Sequence, residues 1–210
     1  MIRATLLTVV LVPLAWRYLD HALASAINDL LAEVLGPPIE AHYVLGIVVL
    51  ILTVSGIVAR LLPAGPAWFA ELRAAAILAG VVAPVSFIVK TLLKLVFGRV
   101  ETRVWLMGNV PDGLHWFGGG QGLNGFPSGH MTICLALAAV GWRCYPGLRW
   151  LWVSCSVMLP FLLVGTDYHF ISDVIAGAWL ALVLYAVLTS PRALAFFRIP
   201  SAAGGGRAEG

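Results

Sequence analysis

The stretch 43–62, Tyr-Val-Leu-Gly-Ile-Val-Val-Leu-Ile-Leu-Thr-Val-Ser-Gly-Ile-Val-Ala-Arg-Leu-Leu, carries no charge before Arg60. A helix of about 20 such residues, rising ~1.5 Å per residue, crosses the ~30 Å hydrocarbon core of a bilayer. Five more apolar stretches span or nearly span the same distance, at 2–17, 73–97, 129–146, 148–167 and 170–189. Each is bounded by charge, Gly or Pro. Of the 210 residues, 60% are hydrophobic and 11% charged, against roughly 25% charged in a soluble domain. That is too little charge to cover a water-facing surface. The expected fold is all-α: an integral membrane bundle of six transmembrane helices forming one domain over 1–200, with a Gly-rich tail at 201–210 expected to be disordered.

Between the first two spans, residues 18–40 place Leu19, Leu23, Ile27, Leu30, Leu31 and Leu35 at helical spacing among Asp20, Asp29 and Glu33. This pattern predicts an amphipathic helix on the membrane surface, ended by Gly36-Pro37-Pro38. The first apolar run, with Arg3 before it and Ala22-Leu23-Ala24 after it, has the outline of a cleaved signal peptide. Arg17, Asp20 and His21 intervene before the small-residue site, so it is read as a retained span. Six spans put both termini on one side. That side holds eight Lys/Arg, the other four, with Lys90 inside a span left out. The positive-inside rule makes the termini cytoplasmic. The loop 99–128 and the 167–170 turn then share the outer face, which in a bacterial inner membrane is the periplasmic or exterior side.

Pro127-Ser128-Gly129-His130 therefore meets His169 and Asp173 at one membrane face, although an entire span separates them in sequence. His169 and Asp173 are four apart and share a helical face. One His can attack a phosphorus atom, its Asp can hold the tautomer, and the other His can donate a proton, which is a kit for covalent phosphoryl transfer. His169 is the candidate nucleophile, Asp173 its orienting acid and His130 the general acid. Ser128 and the Gly129 amide, at a helix N-terminus, are candidates to hold phosphoryl oxygens, or Ser128 is a plain N-cap. Lys94, at the outer end of the third span, is a candidate phosphate ligand. Lys90, one turn deeper, is expected to snorkel or pair with a carboxylate.

These residues resemble the type 2 phosphatidic acid phosphatase family, the membrane lipid phosphate phosphatases. That family carries Lys-x6-Arg-Pro, Pro-Ser-Gly-His and Ser-Arg-x5-His-x3-Asp. The second motif is complete here, the third ends correctly at His169-x3-Asp173, and the first begins as Lys94-x4-Arg99. Glu101-Thr102 stands where the family has Arg-Pro, and Leu162-Leu163 where it has Ser-Arg. The resemblance covers roughly 90–180. It implies hydrolysis of a lipid phosphomonoester or pyrophosphate at the outer leaflet, through a phosphohistidine and without metal or cofactor. The missing arginines leave the phosphate without its bidentate fork, so Arg99 and Arg103 are expected to replace them. Glu101 is expected to face away, and Asp167 to pair with one of the two arginines. His115, Trp105 and Trp116 read as interface anchors. A lipid phosphotransferase with an alcohol acceptor and a catalytically degenerate binding protein are the alternatives.

Other chemistries have little footing. Cys134, Cys144 and Cys155 form no spaced pair and read as small apolar fillers. His21, His42 and His115 show no metal-ligand spacing. No basic run or aromatic–basic alternation points to nucleic acid. The expected partners are the membrane and a lipid phosphate.

Overall fold

A computed structural model describes residues 1–35, 41–63, 65–108 and 110–197. The expected tail at 201–210 and the Gly-Pro-Pro stop of the expected surface helix lie outside them. The described residues form nine α-helices: α1 (Ile2–Tyr18), α2 (Asp20–Leu35), α3 (Ala41–Leu61), α4 (Ala67–Phe97), α5 (Thr102–Leu106), α6 (Gly129–Cys144), α7 (Arg149–Gly165), α8 (Ile171–Leu188) and α9 (Pro191–Phe196). A 3₁₀ turn at Pro146–Leu148 links α6 to α7. No strand is present among the described residues.

The centre of the bundle is α4, α6 and α8. Ile77, Leu78 and Val82 of α4 pack with Ala136 and Val140 of α6 and with Ala181 and Leu188 of α8. Around this centre α3 lies against α4, α1 against α8, and α7 against α6 and α8. The outer helices show large apolar side chains on their outer faces, such as Leu6, Val9 and Val10 of α1, Leu50 and Ile51 of α3, and Trp150 and Phe161 of α7. Apolar surface of this extent suggests a membrane protein.

Four helical segments are long and apolar enough to cross a membrane, or five if the bent pair α1–α2 is one span. The expected six are not reached by this measure. The reason is length: α1 has 17 residues and α6 has 16, and 16 residues rise only about 24 Å. α6 is an inner helix, with Met131, Thr132, Ile133, Ala136, Ala138 and Val140 all buried. α4 is longer than expected, beginning at Ala67. The short α5 and α9 were not expected, since five and six residues are too few for a periodic signal.

The second correction concerns Asp20. α2 turns by 55° from α1, and the break at Leu19 carries Asp20 inward. Its side chain is buried, not on a solvated face.

Candidate active site

α4 ends at Gly98, whose φ of +52° is the left-handed cap conformation. A Cβ there would come 2.2 Å from the His115 carbonyl oxygen, so only Gly allows this close turn. The turn directs Arg99 into the interior of the protein. The loop that follows folds back over it: His115 N donates to Gly98 O at 3.2 Å and Gly125 N to Arg99 O at 2.9 Å.

On the far side of the cavity, Ser128 caps α6, accepting from Met131 N at 3.3 Å. Ser128 N donates to Asp173 O at 3.0 Å, and Thr132 Oγ1 donates to Ser128 O at 2.7 Å. The Ser-Gly-His turn and the first turn of α8 are therefore fastened to each other through main chain. α7 ends in a tight turn at Asp167, with φ +53°. There Tyr168 N and His169 N both donate to Leu163 O, at 3.0 and 3.1 Å, and this aims His169 inward.

The result is a cavity of about 520 Å³. His130, His169, Gly129, Lys90 and Lys94 line it, together with Tyr168. The His130 and His169 rings lie 6.5 Å apart, and Tyr168 sits 5.1 Å from one and 5.4 Å from the other, centroid to centroid. His169 Nδ1 is 3.7 Å from Asp173 Oδ2, beyond hydrogen-bond distance. Burial lowers the His169 pKa below the ordinary imidazole value; Asp173 pulls it up, Lys94 pushes it down further, and the balance remains low. This shift favours the neutral ring, which has a lone pair available.

The lysines both reach the cavity. Lys94 Nζ donates to Asn124 O. Lys90 Nζ lies 4.2 Å over the Phe87 ring, and its side chain runs along Gly129. Lys90 thus faces the same space as Lys94, where the sequence suggested snorkelling. Ser128 is buried and does not line the cavity; its hydroxyl is used as the cap.

The arginines depart from expectation. Arg99 is completely buried and does not line the cavity. Its Nη1 donates to Asp173 Oδ1 and to Ser172 Oγ, each at 2.6 Å, and its Nη2 to Asp20 Oδ2 at 2.8 Å. Nε and Nη2 grip the two oxygens of Asp112, each at 3.1 Å. Trp16 and Phe170 sandwich the guanidinium, at 3.9 and 4.5 Å from their ring centroids. Burial acts to lower its pKa, but the carboxylates of Asp173, Asp112 and Asp20 outweigh this and raise it. No donor is left over for a phosphate. Arg103 donates to Thr166 O at 2.7 Å and lies over Tyr168, outside the lining.

Two further expectations are corrected. Glu101 lines the cavity and does not face away. Asp167 forms no ion pair within 4 Å among the described residues, and its Oδ1 has no hydrogen-bond partner; burial raises its pKa, with Arg103 acting against that. Of the expected interface residues, Trp116 is exposed, while Trp105 stacks on His21 at 4.4 Å and His115 is tied to Gly98.

Sequence reasoning missed Asp112, which accepts from Trp16 Nε1 at 2.7 Å and meets His21 Nε2 at 2.9 Å. Burial pushes its pKa up, but Arg99, His21 and Trp16 together hold it below the ordinary carboxylate value. Among the described residues no group of His, Cys, Asp and Glu is placed to hold a metal ion.

No curated protein and no solved structure matches the chain. A family model described as the PAP2 superfamily matches residues 5–187, a range that runs from α1 to near the end of α8. The match takes in both lysines, both histidines and Asp173, and the chain belongs to the PAP2 superfamily, membership of which suggests phosphatase activity.

Proposed function

We propose that this protein is a membrane lipid phosphatase that hydrolyses a phosphomonoester or pyrophosphate through a phosphohistidine on His169. The observation that carries the reading is the pair of facing histidines in a cavity that also holds two lysines. Asp173 lies on the Nδ1 side of His169, so Nε2 attacks phosphorus. The phosphorus–oxygen bond to the lipid breaks, and His130 gives its proton to the leaving oxygen. Water then attacks the phosphohistidine while His130 takes back a proton, which releases phosphate and restores both rings. The negative charge of Asp173 stabilises the imidazolium formed at attack. Lys90, Lys94 and the Gly129 amide hold the phosphoryl oxygens at the N-terminus of α6.

In this reading the shorter α1 and α6 complete six crossings, and the Lys/Arg imbalance puts the cavity on the outer face of a bacterial inner membrane. Tyr43, Leu45 and Phe87 give the cavity an apolar side, which suits a lipid tail. Glu101 supports a second reading. A carboxylate beside a phosphate site can accept a proton from an alcohol, and phosphoryl transfer to an added alcohol would reveal it.

The test is phosphate release by purified protein from phosphatidic acid and an isoprenoid pyrophosphate in mixed micelles, with and without chelator. His169→Ala and His130→Ala should each abolish release, and Asp173→Asn should leave part of it. Chelator should have no effect. More than a few per cent of activity in His169→Ala, or rescue of a chelated enzyme by Mg²⁺ or Zn²⁺, would rule the mechanism out.

A further inference from the structure

Asp20 stands outside every motif that carries the chemistry, at the break between α1 and α2. It is 1% exposed, and all of its contacts converge on the catalytic acid. Oδ1 accepts from Ser172 N at 3.0 Å, the residue just before Asp173. Oδ2 accepts from Arg99 Nη2 at 2.8 Å and from the Ser172 hydroxyl. Arg99 Nη1 in turn holds Asp173 Oδ1 at 2.6 Å. The other oxygen of Asp173 accepts from Phe170 N at 3.2 Å and faces His169 Nδ1.

Charge decides what this arrangement does. A lone Arg99 paired with Asp173 would cancel the charge that His169 needs when it becomes imidazolium. Here three carboxylates, Asp20, Asp112 and Asp173, surround one guanidinium, so acidic groups outnumber the one guanidinium. His21, half-exposed, meets only Asp112 within this group. The guanidinium is shared out, and Asp173 keeps a net negative field on the His169 side. Asp20 also anchors the first turn of α8, where a carboxylate is favoured by amides that have no partner within the helix.

We propose that Asp20 is a positioning residue for phosphoryl transfer, acting through Arg99 and Ser172 to fix Asp173 and to preserve its charge toward His169. This rests on His169 being the nucleophile. Besides Asp173, the charged or titratable groups around His169 are Lys94 and Glu101, whose charges act on it, Tyr168 and His130, whose rings adjoin it, and Lys90 and Tyr43, which line the same cavity. None of these changes when Asp20 is replaced.

The experiment compares wild type with Asp20→Asn, which keeps shape and loses one charge. The first readout is phosphate release from phosphatidic acid in mixed micelles, as kcat, KM and the acidic limb of kcat/KM. The second is the pH dependence of carbethoxylation of His169 by diethyl pyrocarbonate, followed by peptide mass spectrometry, which needs no turnover. Asp20→Asn should lower kcat about tenfold, the scale on which a supporting partner of a reactive group acts, with KM nearly unchanged. Both the acidic limb and the carbethoxylation midpoint should move to lower pH, because the imidazolium loses a stabilising charge. Asp20→Glu should recover part of kcat. Ile133→Val, a core change in α6, should lower thermal stability without moving either midpoint. If Asp20→Asn is not recovered folded, Ser172→Ala, which removes the hydroxyl joining Arg99 to Asp20, should lower kcat in the same way. A shifted carbethoxylation midpoint in a protein that releases no phosphate would uphold the positioning role and remove the hydrolysis reading. Unchanged kcat and an unchanged midpoint in Asp20→Asn would overturn the proposal.

Discussion

Arg99→Ala separates a phosphate clamp from an internal buttress. A clamp facing the cavity would be dispensable for folding, and its loss would cost about 2.7–4 kcal/mol of transition-state stabilisation, roughly a 100- to 1000-fold drop in rate. Arg99 instead sits among Asp20, Asp112 and Asp173 at 2.6–3.1 Å with none of its side chain exposed. Removing one partner of a buried pair costs about 3–5 kcal/mol, because the other charge is left without compensation. Here three are left, against a total stability of about 5–15 kcal/mol. At about 2–4 °C per kcal/mol for a chain of this size, the unfolding temperature in detergent should fall by roughly 6–20 °C. The sign of the pH dependence is fixed as well. Without Arg99 three buried carboxylates face one another with no cation between them, and protonation relieves that repulsion. The deficit is therefore largest at neutral pH and shrinks as pH falls. Unfolding would be followed by tryptophan fluorescence of the purified variant from pH 5 to 8, with His130→Ala as the control that loses chemistry alone. An Arg99→Ala protein that melts with wild type at pH 7 but no longer binds inorganic phosphate would refute the buttress and restore the clamp.

Three other outcomes are expected. Lys90→Ala and Lys94→Ala should each slow phosphate release by about 100- to 1000-fold, as for loss of one oriented donor; wild-type rates in Lys90→Ala would take Lys90 out of the site. Gly177→Ala should destabilise the protein by about 1–3 kcal/mol, because its Cβ would stand 2.6 Å from Ser128 O and force α8 off the Ser-Gly-His turn; an unchanged melting temperature would show that this contact gives freely. A Cys at the exposed Met107 should react with a membrane-impermeant thiol reagent on intact cells, and labelling only after lysis would invert the proposed topology.

The candidate site was legible because its residues are compressed into two short segments. Ser128-Gly129-His130 and His169-x3-Asp173 are short, polar and set in hydrocarbon, where a titratable group has to have a purpose. The helices were legible by length, because apolar runs of 18 residues or more leave little choice. Crossing number was not. Residues 129–146 read as a span, yet the helix stops at Cys144 and the chain enters a 3₁₀ turn at Pro146. A run of apolar letters does not distinguish an inner helix from one that meets lipid over its full length.

The sequence misleads at Arg99 and Asp20 for one physical reason. Each looks like a surface charge in its own neighbourhood: Asp20 beside His21 at the start of an amphipathic pattern, Arg99 at the head of a polar loop. Their partners lie 79 residues apart for Arg99 with Asp20, 13 for Arg99 with Asp112 and 74 for Arg99 with Asp173, and no periodicity links such positions. The available signal was a cost. Asp20 follows the charge-free apolar stretch 4–16, with only Arg17 charged in between, and an acid beside such a run needs a cation. Arg99, the first Arg after α4, was expected on the same face. Assigning Arg99 to Asp20 would have removed it from the phosphate, and the two lysines one turn apart on α4 would then have been the cations left for the cavity. In the proposed reaction they would bind phosphate as point charges and not as forks, which would leave direction to the Gly129 amide and the α6 N-terminus.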